Sequence, residues 1–158
     1  MWLPSILSPA LLLLQRGGPD TCTSFPSWTV KDFNSTTSDT VGSGGAASFT
    51  LINNLSGAVD NLRCSLQVNY RCIITGTPSD KNLTVNVAVR AGALTLLLEE
   101  TVDCPGRTTP LHVIGNGDLE LDCTWDENIG GKVSCGLLEE VNVIQGDAVE
   151  LAPDPWHG

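Results

Sequence analysis

Apolar and polar residues alternate with a period of two through most of this chain. Leu83, Val85, Val87 and Val89 alternate with Asn82, Thr84, Asn86, Ala88 and Arg90, which predicts a strand with one wet and one buried face. Ala91-Gly92 then reverses the chain into residues 93–102, so the two segments predict an antiparallel hairpin. Further strands are predicted over residues 28–33, 48–53, 62–68, 70–75, 111–114, 118–125, 132–137, 141–144 and 148–151. Turn clusters punctuate them: residues 42–45, 76–80, 105–107, Gly115-Asn116-Gly117 and Gly130-Gly131. Residues 34–46, rich in Ser, Thr and Gly, predict a long exposed loop. A short strand followed by a Gly, Pro or Asn stop about every ten residues indicates an all-β sandwich or barrel.

Helical periodicity is scarce. Residues 137–141 could form one helical turn, but Gly136 and the β-branched residues that follow favour extended chain. The pattern therefore predicts one antiparallel β domain over residues 19–151, followed by a disordered tail over 152–158.

Residues 1–14 form an apolar run too short and too interrupted by Pro to span a bilayer, which needs about 20 residues. They suit a signal peptide over residues 1–18, and hence secretion. Removal near Gly17 or Gly18 keeps all six cysteines, whereas cleavage after Cys22-Thr23-Ser24 would leave five. Cys22, Cys64, Cys72, Cys104, Cys123 and Cys135 match no zinc spacing, so an extracellular domain stapled by three disulfides is expected. Six cysteines allow fifteen connectivities; the preferred one joins Cys64 to Cys72, Cys104 to Cys123 and Cys22 to Cys135.

Charge narrows the choice of partner. Asp and Glu outnumber Lys and Arg by 18 to 8, a formal charge of −10, which disfavours nucleic acid and anionic membrane as partners. Asp118, Glu120 and Asp122 form an acidic strip on one strand face, but carboxylates two residues apart stand about 7 Å apart, so a solvated strip is favoured over a calcium site. No metal or cofactor is expected. Neither His112 nor His157 is placed beside a nucleophile, and Glu99-Glu100 with Asp103 cannot be given a glycosidase separation from sequence. With no catalytic motif present, a non-enzyme is expected. Three sequons begin at Asn34, Asn54 and Asn82; Asn34 in the expected loop and Asn82 at a wet strand face are favoured as glycan acceptors over Asn54.

Residues 27–33 (Ser-Trp-Thr-Val-Lys-Asp-Phe), 48–54 (Ser-Phe-Thr-Leu-Ile-Asn-Asn), Cys64 with Tyr70-Arg71-Cys72, Val102-Asp103-Cys104, Leu119-Glu120-Leu121-Asp122-Cys123 and finally Cys135 occur in an order that resembles the fungal small secreted cysteine-rich proteins related to the Alternaria major allergen. The family pattern has Trp-x-Cys where this chain has Val102-Asp103-Cys104. The resemblance spans residues 25–145 and implies a compact β-barrel or sandwich, no cofactor, no catalytic site, and an effector, elicitor or allergen role. The expectation is thus a secreted protein that acts by binding an extracellular protein or glycan, a host's among the candidates. A cell-wall or surface structural protein, a small-ligand barrel and an enzyme stand as alternatives.

Overall fold

The computed structural model describes Cys22 and residues 24–38, 44–67, 71–90, 92–127 and 131–149. The expected signal peptide and tail lie outside the described residues. Of the two predicted architectures, the structure is a barrel. Its strands are β1 (Ser27–Ser38), β2 (Gly45–Asn53), β3 (Val59–Leu66), β4 (Arg71–Thr75), β5 (Leu83–Arg90), β6 (Ala93–Val102), β7 (Leu111–Asp126), β8 (Lys132–Leu137) and β9 (Val141–Val149).

Every pairing is antiparallel, and β1 meets both β2 and the pair β8/β9, which closes the sheet on itself. β8 and β9 fill one wall position end to end. β8 bridges the far halves of β1 and β7, through Asn34–Ser38 and Leu121–Asp126, while β9 bridges the near halves, through Ser27–Lys31 and His112–Gly115.

Alternation places the core as expected. Leu94, Leu96 and Leu98 of β6, Leu51 of β2 and Val113 of β7 point inward and are almost fully buried, with Trp28 filling the space between β1 and β7. Strand β1 changes parity part-way: Lys31 opposes Thr50 and Asn34 opposes Ser48, so Asp32 and Phe33 together face Phe49. This bulge switches the inward set from Trp28 and Val30 to Phe33 and Ser35, and seats Phe33 6.5 Å from the Phe49 ring. It also falls where β9 gives way to β8 along β1. Asp32 carries the strain, with φ of 56°, in the left-handed region that Asp tolerates and β-branched residues do not. Asp32→Val should lose about 1–2 kcal/mol in urea unfolding, and Asp32→Gly should lose nothing.

Three expectations are corrected. Residues 34–46 are not one loop, because β1 runs to Ser38 and β2 starts at Gly45. Asn34 is accordingly a strand residue, paired with Ser48 and Gly136, with an exposed side chain.

Gly115-Asn116-Gly117 is not a turn; β7 runs straight through it. These glycines are there for space: a Cβ on Gly115 would stand 2.5 Å from Cζ3 of Trp28, and one on Gly117 2.6 Å from Cδ1 of Ile144. Gly115→Val should therefore cost about 1–3 kcal/mol by overpacking and alter the near-ultraviolet signal of Trp28. Gly136→Ala, whose Cβ would meet only Phe33 O at 3.7 Å, is the control that should leave both unchanged.

The third correction concerns the sulfurs. Cys64 joins Cys72, but Cys22 joins Cys104 and Cys123 joins Cys135, in place of Cys22 with Cys135 and Cys104 with Cys123. Cys123 and Cys135 are direct cross-strand neighbours in the β7–β8 hairpin, with Cα atoms 4.1 Å apart. Once that pair forms, Cys104 at the end of β6 is left to take Cys22, which precedes β1 at the same end of the barrel.

Candidate functional site

Among the described residues, two places stand out from the apolar, closed barrel. The first lies inside, at the end where β1 begins. Glu100 continues the inward row of Leu94, Leu96 and Leu98 and is 7% exposed. Across the barrel, Asn53 on β2 donates from Nδ2 to Glu100 Oε2 at 2.9 Å, and its Oδ1 accepts from the backbone N–H groups of Leu55 and Ser56 at 3.0 and 3.1 Å. One buried amide thus ties a core carboxyl to the β2–β3 turn. Burial pushes the Glu100 carboxyl above its ordinary value of 4.5, and the charge of Asp80 pushes it the same way; the Asn53 donor and the nearby Trp28 indole edge favour the ionised form. The Trp28 N–H is close enough to act on the charge, yet it meets no acceptor in hydrogen-bond geometry. The cluster is a clasp that holds β6 to the β2–β3 turn through Asn53.

The second place is in the wall. Among the described residues, strands β4 and β5 pair through Arg71↔Ala88 and Cys72↔Val87 alone, whereas β5 meets β6 over the whole of Leu83–Arg90. Over and beside that short ladder lies a cleft of about 570 Å³. Its lining mixes inward residues (Cys72, Ile74, Val85, Val87) with a larger outward set that includes Arg71, Ile73, Asn86 and Leu97, so the cleft opens on the outer face and reaches inward side chains of β4 and β5. The loop over residues 76–82 explains the split. Ser79 N–H donates to Asp60 Oδ1 on β3 at 2.7 Å, and Thr101 N–H on β6 donates to the Asn82 carbonyl at 3.2 Å. The middle of the loop is thus held to β3, and its last residue continues the β5–β6 ladder, so the loop spans the gap between the end of β4 and the start of β5.

The outer wall elsewhere carries a further apolar row. Val143, Thr29, Ile52 and Val59 are register neighbours across β9, β1, β2 and β3, and Val143 and Val59 are 53% and 55% exposed.

The residues singled out from sequence are dispersed. Glu99 and Glu100 face opposite sides of β6; Glu99 is outside, 3.7 Å from Nε2 of His112, and Asp103 is exposed beyond the strand. Asp118, Glu120 and Asp122 line the outer face, with Asp118 accepting from the Thr95 hydroxyl at 2.7 Å. Among the described residues no three His, Cys, Asp or Glu side chains are grouped as a metal site. His157 lies outside them. Asn82 is exposed ahead of β5, whereas the exposed Asn54 amide is already engaged, donating to Ser27 Oγ at 3.1 Å while its oxygen accepts from Thr29 Oγ1 at 3.0 Å.

Asn53 was missed by sequence reasoning, although the inward parity of β2 marks it. The wall cleft left no signal except the length of the loop after β4.

No protein-family profile matches the chain, and no curated protein does either. Among solved structures, two crystal structures of the Alternaria alternata major allergen Alt a 1 align with it. One superposes with a TM-score of 0.46 at 14% identity, covering 80% of this chain and 96% of that one. The other superposes with a TM-score of 0.45 at 13% identity, covering 84% and 96%. Likeness of that degree assigns neither a family nor an activity to the chain.

Proposed function

We propose that this chain is a secreted, non-catalytic binding protein that acts outside the cell, with an effector-like or host-interaction role and an extracellular protein or glycan as its partner. One observation carries the reading. The barrel interior is filled by Trp28, Leu51, Leu94, Leu96, Leu98 and their neighbours, while accessible apolar surface lies outside, at the β4–β5 cleft, on the row through Val143 and Val59, and at Trp125 and Leu138. A packed lumen leaves recognition to the outer surface. Three disulfides in a chain of this size support an oxidising compartment as the place of action.

The test is to incubate the oxidised, full-length protein with extracellular fluid from candidate host tissue and cross-link it. The expected result is a discrete complex that excess unlabelled protein competes away, accompanied by a response of host cells to the pure protein. Failure to form such a complex, with no cellular response, would overturn the reading.

A further inference from the structure

The cleft between β4 and β5 also has a defined backbone chemistry. Antiparallel ladders alternate, so each residue directs its N–H and C=O to one neighbour only. Gln67 N–H donates to the Arg71 carbonyl at 2.8 Å, which sets Arg71, Ile73 and Thr75 to bond β3 and turns the backbone groups of Cys72 and Ile74 toward β5. On the other side, Thr101 N–H donates to the Asn82 carbonyl, which sets Asn82, Thr84, Asn86 and Ala88 to bond β6 and turns those of Val85 and Val87 toward β4. Cys72 and Val87 meet each other. Ile74 and Val85 do not: the ladder stops one step short, and both residues line the cleft. Each therefore presents an N–H and a C=O, without a ladder partner among the described residues, into an opening walled by Ile73, Leu97 and Val87.

We propose that this opening is a strand-addition site, which takes an extended peptide segment of a partner protein between β4 and β5, hydrogen-bonded to the backbone of Ile74 and Val85. The proposal rests on the binding role given above and names how the partner is held. Two facing strand edges are a template that only another extended backbone satisfies on both sides. The apolar lining asks for small or β-branched side chains on the inward face of the segment. The one charged side chain among the described lining residues is Arg71, set in a chain of net charge −10, which asks for a segment that carries little charge inside the cleft. A cleft of about 570 Å³ suits a short run of residues.

The experiment is fluorescence anisotropy on the oxidised, full-length protein, with labelled hexapeptides of alternating Val/Thr and Ala/Ser carrying a terminal Lys. Each peptide is also made with alternate amides N-methylated, which removes backbone donors and keeps the side chains. The expected result is saturable binding that weakens by about tenfold or more on N-methylation. It should weaken likewise in Asn86→Trp, whose indole occupies the cleft from outside, with the thermal midpoint unchanged. Equal binding of N-methylated peptides, or none up to about 1 mM, overturns the strand-addition site. If Asn86→Trp still forms the complex seen with extracellular fluid, the site falls while the binding role stands. If wild type forms no complex but binds peptides in this way, the role falls and the site stands.

Discussion

Replacing Cys22 and Cys104 together by Ala should destabilise the oxidised protein by about 4.5 kcal/mol, the largest loss of the three bridges. The two residues are 82 apart, and the chain entropy released by opening so long a loop exceeds that for Cys64–Cys72, 8 apart, at about 2.6 kcal/mol. Structure adds to entropy in the same direction. The bridge pins the segment that leads into Pro26, which is fully buried and whose carbonyl accepts from Gly146 N–H at 3.1 Å. Release of that segment uncovers the barrel end that shelters Trp28 and Glu100. Urea unfolding followed by Trp fluorescence would measure both double variants; a smaller loss for Cys22/Cys104 than for Cys64/Cys72 would show that the first bridge does not organise the barrel end.

The second large effect is expected at Asn53. Asn53→Ala removes the hydrogen bond to a buried carboxyl and the acceptor for two turn amides at once, and should cost about 3 kcal/mol near neutral pH. Glu100 supplies the check through pH. Its proton is held more tightly in the folded than in the unfolded chain, because burial raises the folded value above 4.5. Its contribution to stability is therefore fully present below 4.5 and is lost as pH rises through the raised folded value. Glu100→Gln should abolish this slope and be more stable than wild type near neutral pH, keeping an acceptor for Asn53. In Asn53→Ala the slope should steepen, since a donor that favoured the ionised form is gone. Denaturation midpoints from pH 4 to 8 would decide, and a slope in Glu100→Gln equal to that of wild type would remove Glu100 from the account.

Much of the fold was legible because burial follows parity. The alternation of Leu83, Val85, Val87 and Val89 gave β5 its inward face, and Ala91-Gly92 gave the hairpin to β6. Parity also held the clue to Glu100, two residues beyond Leu98 on the same face, but a Glu-Glu pair looks solvated until a partner is known. That partner, Asn53, is 47 residues away and reaches it only across a closed barrel. Gly115-Asn116-Gly117 misled for a physical reason: glycine marks both reversal and close approach, and here Trp28 and Ile144 needed the room. Cys123 and Cys135 stand 12 apart, centred beside Gly130-Gly131, so a hairpin read through that turn would have paired them. Cys22 with Cys104 had no local signal at all. The wall cleft depends on how one loop is held at Ser79 and Asn82, which no periodicity records.

The wall position shared by β8 and β9 gives the closing seam two unequal halves. Along β8 the seam is riveted by Cys123–Cys135, whereas along β9 it is held by hydrogen bonds and by Ile144, with Val141, Val143 and Val149 left to water. The two halves should come undone separately. Native-state deuterium uptake is expected to be faster over residues 141–149 than over 132–137, so that the barrel breathes through its last strand while the riveted half stays shut.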